Sequence, residues 1–136
     1  MSDKQIPLLE EVMTVDTLAI DASCSLVIAE QMMSNGDVRH LAVTDESGPI
    51  GIISEQDLLR ISLPAHPIDD DGLLVSDLLR SHHYMADISD PLDRVLDIMV
   101  SDGIDAILVL NEGELAGIFT STDACKLLAG ILKEYN

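Results

Sequence analysis

A chain of 136 residues with 25 acidic and 7 basic side chains carries a formal charge of −18, and such a field repels phosphate backbones and anionic lipid surfaces. The composition is 47% hydrophobic with only three aromatic residues, which implies a globular domain with an aliphatic and methionine core and no stacking platform for single-stranded nucleic acid. The start, Met1-Ser-Asp-Lys-Gln, has no basic or apolar leader and no apolar run approaches the roughly 18 residues of a membrane span, so the expectation is a cytoplasmic protein without nucleic-acid or membrane partners.

In chain order, Ser23 stands where a helix cap is wanted, and Ile28, Ala29 and Met32 supply an inner apolar stripe that Gly36 ends. Leu26, Val27 and Met33 are surplus to that stripe, either as scattered exposed apolar residues or as a patch against a second subunit. The short strand Leu41-Ala-Val43, the turn Thr44-Asp-Glu-Ser-Gly-Pro49 and the strand Ile50-Gly-Ile-Ile53 read as a hairpin. It ends at Ser54-Glu-Gln-Asp57, where a second helix begins.

Residues 63–74, with two prolines and the acidic run Asp69-Asp70-Asp71, read as a connector; the run lacks the alternating ligands and distal glutamate of a calcium loop. The vicinal His82 and His83 beside Tyr84 cannot easily converge on one metal, and His66 is isolated. No metal is therefore predicted. Beyond them, Asp90-Pro91 reads as an N-cap followed by proline at the first helical position, with Asp93 placed for a capping box. Leu92, Val95, Leu96 and Met99 follow as one buried helical face, stopped by Gly103. Strands Ala106-Ile-Leu-Val-Leu110 and Leu115-Ala-Gly-Ile-Phe119 flank the turn Asn111-Glu-Gly-Glu114, and Thr120-Ser-Thr-Asp123 opens the last helix. Cys24 and Cys125, read as lying in helices, lack CxxC spacing and are expected to be buried, reduced packing residues.

Laying 75–135 over 9–68 superposes the two halves, with a shift of 67 positions up to the hairpin turn and 66 beyond it. Met32 then falls on Met99, Gly36 on Gly103, Leu41 on Leu108, Gly51 on Gly117, Ile52 on Ile118 and Asp57 on Asp123. A repeat this long is not a solenoid unit; two copies of β-α-β-β-α read as a pseudo-twofold pair. The fold class is α/β (α+β), with repeat 1 over 9–62, a linker over 63–74 and repeat 2 over 75–132.

The lead-in Glu11-Val-Met-Thr14, the strand entry Arg39-His-Leu-Ala-Val43 and the endings Gly-Ile-Ile-Ser54-x-x-Asp57 and Gly-Ile-Phe-Thr120-x-x-Asp123 resemble the CBS domain family, named for cystathionine β-synthase, in its free-standing tandem pairs. The resemblance covers about Glu11 to Leu132. It implies a cleft between the copies that takes an adenine nucleotide (AMP, ADP or ATP) or another adenosyl ligand, with ribose hydroxyls on Asp57 and Asp123 and with Ser54 and Thr120 on ribose or phosphate. A carboxylate can accept two vicinal hydroxyls at once and a helix start offers N–H groups to phosphate, although the same residues also form a plain helix cap, and the two roles can coexist.

Phosphate needs cations, and Arg39 stands where the family often holds a basic residue; His40 and Thr14 complete the expected ligand-binding set. Arg39's counterpart reads as Ala106, and the family's proline after the Arg-His entry is Ala42 here, so the two sites are expected to be unequal. Arg60, Arg80 and Lys126 read as surface residues on helix ends. The resemblance further implies a homodimer formed through helices; with no effector domain read in the sequence, any output is expected to act in trans on an unknown effector protein. No nucleophile, base or metal set with catalytic spacing is present, so the chain reads as a sensor and not an enzyme. The alternative is a ligand-free CBS-pair scaffold for dimerisation or docking.

Overall fold

The computed structural model describes residues 5–62, 72–79 and 85–135. Over them the chain runs α1 (Leu9–Val12), β1 (Ala19–Asp21), α2 (Leu26–Gly36), β2 (His40–Asp45), β3 (Gly48–Ser54), α3 (Glu55–Ser62), α4 (Val75–Leu78), β4 (Met85–Asp87), α5 (Leu92–Asp102), β5 (Ala106–Asn111), β6 (Glu114–Thr120) and α6 (Ser121–Leu132), then a short 3-10 turn at Lys133–Tyr135. His66, Asp69, Asp70, Asp71, Arg80, His82, His83 and Tyr84, on which several of the readings above fall, lie outside the described residues.

The strands form two three-stranded sheets, β1-β2-β3 and β4-β5-β6, so the mixed α/β reading and the duplicated β-α-β-β-α unit both hold. In each sheet the first strand is parallel to the second, reached by a helical crossover, and the second and third form a hairpin. Ala42 faces Ile52 and Leu108 faces Ile118, and the ladder slips at matching places, after Val43 and after Val109. The second hairpin turns through Glu112 and Gly113, both at positive φ, the backbone of a primed two-residue turn whose twist matches its strands.

The element starts separate the copies by a constant 66 positions: Ala19 and Met85, Leu26 and Leu92, His40 and Ala106, Gly48 and Glu114, Glu55 and Ser121. The expected 67-position shift over the first helix is therefore wrong by one residue, and nothing is lost from the second hairpin turn. Leu41 matches Ile107 rather than Leu108, and Arg39 matches Asp105 rather than Ala106.

Gly36 and Gly103 are not equivalent helix stops. Gly103 does hold the left-handed conformation after α5 at φ 64°, but after α2 that role falls to Asp37 at φ 51°, with Gly36 still helical. The inner stripe of α2 is Leu26, Ala29 and Met33, all buried, and not Ile28, Ala29 and Met32; Met32 packs partly against it. Leu26 and Met33 are core residues and cannot form the subunit patch considered for them, whereas Ile28 is 44% exposed.

The helix caps also differ from expectation. Ser25 caps α2, its Oγ accepting from Ile28 N–H at 3.4 Å, because Ser23 is bound to Asp21: both its N–H (2.8 Å) and its hydroxyl (2.6 Å) donate to Oδ1. At α5 Pro91 occupies the N-cap position with extended backbone and no side-chain cap, and Asp90 accepts from Asp87 N–H instead. The first free amides of the two helices are met by backbone carbonyls, Leu26 N–H by Leu73 and Leu92 N–H by Pro7.

Those two contacts belong to a larger exchange. The chain clusters into one unit of residues 1–16 with 84–136 and another of residues 17–83. Leu9 of α1 is fully buried in a core with Leu92, Val95, Met99, Ile107, Val109 and Phe119, while Val75 of α4 is fully buried in a core with Leu26, Ala29, Met33, Leu41, Val43 and Ile53. Each lead-in helix therefore packs in the body formed by the other repeat. The backbone bonds repeat at the same spacing: Leu9 N–H to Asp90 and Glu10 N–H to Ile88 in one unit, Val75 N–H to Cys24 and Ser76 N–H to Ala22 in the other. Fully burying a leucine or valine side chain is worth roughly 1.5–3 kcal/mol, so these are anchors rather than tails.

Cys24 sits half-buried in a bend against its core, and Cys125 is exposed on α6, so neither the helical placement of the first nor the burial of the second holds.

Candidate functional site

At the end of each hairpin the backbone turns straight into a helix, and the hydroxyl–x–x–aspartate pattern closes that junction. Asp57 Oδ2 accepts from Ser54 N–H at 2.9 Å while Asp57 N–H donates to Ser54 Oγ at 3.1 Å. In the second repeat Asp123 Oδ2 accepts from Thr120 N–H at 2.9 Å, and Asp123 N–H donates to Thr120 Oγ1 at 3.3 Å. Both are capping boxes with aspartate at the third helical position, so the cap expected from sequence is present twice. Each box holds a partly exposed carboxylate at the start of a helix, beside a hydroxyl. That geometry suits a vicinal diol on the carboxylate.

The surroundings of the two boxes differ. Across the first hairpin His40 stands opposite Ser54, which brings a half-buried imidazole residue beside the first cap, whereas its counterpart opposite Thr120 is Ala106. Arg60 Nη1 lies 3.8 Å from Asp57 Oδ1 one turn along α3. In the second repeat the other carboxylate oxygen is taken from far away in sequence: Thr14 Oγ1 donates to Asp123 Oδ1 at 2.9 Å. Thr14 is held by two backbone bonds to Ile118, and its carbonyl oxygen lies 2.6 Å from where a Cβ on Gly117 would stand. The absence of a side chain at Gly117 is what lets this segment approach.

Arg39 stands just before β2. Its carbonyl accepts from Glu55 N–H at 2.8 Å, as Asp105 accepts from Ser121 N–H at 2.9 Å. Its side chain lines a groove of about 450 Å³ between α2 and α3, with Glu30, Asp37 and Glu55 around a floor of Met33 and Leu58; neither Ser54 nor Asp57 lines it. The structure thus brings together His40, Ser54 and Asp57 in one unit and Thr14, Thr120 and Asp123 in the other. The partnership of Thr14 with the second repeat's aspartate, and the acidic counterpart of Arg39, escaped the sequence reading; the constant 66-residue spacing was the signal that reveals the latter. Among the described residues no three His, Cys, Asp or Glu side chains are grouped to hold a metal ion, and no helix is long and apolar enough to cross a membrane.

Comparison with known proteins bears on both repeats. The family model for the CBS domain matches residues 9–64 and again 75–130. A curated relative, the uncharacterized protein MJ1225 of Methanocaldococcus jannaschii, is 35% identical over 86 residues, 63% of this chain and 30% of that protein; the chain thus spans under a third of the relative's length. Among solved structures, an uncharacterized conserved protein from Pyrococcus horikoshii superposes with a TM-score of 0.78 at 27% identity, covering 91% of this chain and 93% of that one. The CBS domain pair of protein MJ0100, solved in complex with 5′-methylthioadenosine and S-adenosyl-L-methionine, superposes with a TM-score of 0.79 at 21% identity, covering 93% and 98%.

Proposed function

Because this chain belongs to the CBS domain family as a tandem pair of repeats, we propose that it is a non-catalytic sensor module that takes an adenine nucleotide or other adenosyl ligand on its hydroxyl–aspartate caps. What supports this most is the duplicated carboxylate at Asp57 and Asp123, each fixed at a helix start beside a hydroxyl where sugar hydroxyls can reach it. The adenosyl ligands of the MJ0100 pair, a protein of the same fold, support the ligand class. In this reading His40, Ser54 and Asp57 form the first ligand-binding set and Thr14, Thr120 and Asp123 the second. Arg39 contributes from outside both, and ligand occupancy is read in trans by a partner protein. The module works as a homodimer in the cytoplasm.

A ligand present at 100 times its dissociation constant adds about 2.7 kcal/mol to stability, a clear rise in melting temperature. The test is a thermal-shift panel of AMP, ADP, ATP, S-adenosylmethionine and nicotinamide cofactors, repeated with Asp57→Asn and Asp123→Asn. Asparagine keeps an acceptor for the cap but loses the charge and half of the diol-accepting capacity. A shift abolished by these variants supports the sensor; no shift with any ligand supports the second reading, a scaffold without ligand. That second reading draws on Asp123, whose two oxygens already accept from Thr14 and Thr120.

A further inference from the structure

The Asp123 carboxylate is already well supplied with donors. Oδ2 accepts from Thr120 N–H at 2.9 Å and from the Thr120 hydroxyl at 3.1 Å, while Oδ1 accepts from the Thr14 hydroxyl at 2.9 Å. An ionised carboxylate has about four lone-pair sites, so the three donors present leave room for about one more. A vicinal diol brings two. Both of its hydroxyls can be accepted only where one of the present donors withdraws.

The Thr120 bonds close the cap of α6, so they belong to the helix itself. Thr14 is the donor that the cap does not need. Its backbone is pinned to β6, its N–H donating to the Ile118 carbonyl at 2.9 Å and its carbonyl accepting from Ile118 N–H at 3.0 Å. With the backbone fixed, the hydroxyl leaves Oδ1 only by rotation of a β-branched side chain, which is stiff at χ1. The residue 66 positions on from Thr14 is Arg80, so this hydroxyl is not part of the duplicated pattern.

We propose that Thr14 sets the specificity of the second carboxylate. By holding Oδ1 it limits Asp123 to one hydroxyl of an adenosyl ribose, so this site takes a nucleoside lacking either the 2′ or the 3′ hydroxyl nearly as well as the full diol. The inference rests on the adenosyl-ligand reading above and adds what one of its two carboxylates selects. Thr14 acts here through Asp123. Thr14→Val keeps the shape of the side chain and releases Oδ1 to the second ribose hydroxyl, a hydrogen bond to a charged acceptor that is worth about tenfold in affinity.

Calorimetric titration with adenosine, 2′-deoxyadenosine and 3′-deoxyadenosine tests it, since the nucleoside is the part that adenosyl ligands share. The titrations are made in the Asp57→Asn chain, so that the first carboxylate does not set the preference. With Thr14 present the three should bind with nearly equal affinity. Adding Thr14→Val should raise the preference for adenosine over the deoxynucleosides to about tenfold, while Thr14→Ser, which keeps the hydroxyl, should leave it low. A merely structural role for Thr14 would weaken all three alike and leave their ratio unmoved. A ratio unchanged by Thr14→Val, or raised as much by Thr14→Ser, would overturn the inference and leave the adenosyl reading standing, as would adenosine binding to the unsubstituted chain that vanishes altogether in Asp57→Asn. No binding of adenosine to the unsubstituted chain would overturn both.

Discussion

Thr14 and Asp123, 109 positions apart in sequence, are joined by a side-chain hydrogen bond of 2.9 Å, so the carboxylate that closes the last helix of the second repeat is held by the lead-in to the first. Replacing the hydroxyl with a methyl group in Thr14→Val leaves Oδ1 of a partly exposed carboxylate to water. The expected loss is about 1 kcal/mol, as for a hydrogen bond to a charged group that solvent can replace. Urea denaturation should show the midpoint moving with an unchanged slope.

Close approach at Gly117 is a harsher test of the same contact. A Cβ there would stand 2.6 Å from the Thr14 carbonyl oxygen and 2.9 Å from Met13 Sδ, and backbone cannot swing aside as a side chain can. Gly117→Ala should destabilise by roughly 1–3 kcal/mol. Gly130 in α6 is the control, since a Cβ there meets nothing within 4 Å. Gly130→Ala should stabilise by about 1 kcal/mol through helix propensity. Thermal melts of the two variants should therefore move in opposite directions.

Leu9→Ala removes a fully buried side chain from the core around Phe119, and Val75→Ala does the same in the core around Leu41. Losses of about 2–5 kcal/mol for the leucine and somewhat less for the valine are expected. Amide exchange locates them: Leu9→Ala should lower protection in β5, β6 and α5, and Val75→Ala in β2, β3 and α2. Loss of protection confined to each lead-in's own sequence repeat would contradict the exchange.

Three aspartates, Asp21, Asp45 and Asp87, each accept from the hydroxyl and then the N–H of a serine two positions on, and these bonds hold each carboxyl below its ordinary 3.8. A depressed folded-state value favours the folded form above the unfolded pKa, and the gain disappears as pH falls through the lower folded value. Melting temperature should therefore be insensitive to these groups above about pH 5 and should fall progressively below about pH 4. In Ser23→Ala, Ser47→Ala and Ser89→Ala that part of the acid-limb slope should be reduced, a difference read from melts taken at steps from neutrality to pH 2.5.

The duplication and both caps were legible in the residues because hydroxyl–x–x–aspartate after an apolar strand is a local pattern, fixed by hydrogen bonds that span three positions. The phase of α2 was not. Ser23 and Ser25, or Gly36 and Asp37, offer the chain equally good punctuation, and what decides between them is whether Asp21 claims the first serine and whether Leu26 or Ile28 reaches the core. Such competition is settled by packing, which no single segment encodes. The reach of Thr14 to Asp123 was illegible for a different reason: it joins two segments with no shared periodicity, and the glycine that admits it looks in sequence like any other strand glycine. Arg39 illustrates a third case, since the groove it lines is made by α2 and α3, two helices that no local sequence pattern brings together.

The crossing of the two lead-ins puts the duplicated stretch of gene out of phase with the body that folds. Cleaving the chain between its repeats would yield two fragments, each missing the hydrophobic plug that its own core requires and each carrying the plug of the other. Such fragments should be poorly structured in isolation and regain order when mixed, so the tandem arrangement acts as a mutual dependency that keeps either half from persisting without its sibling.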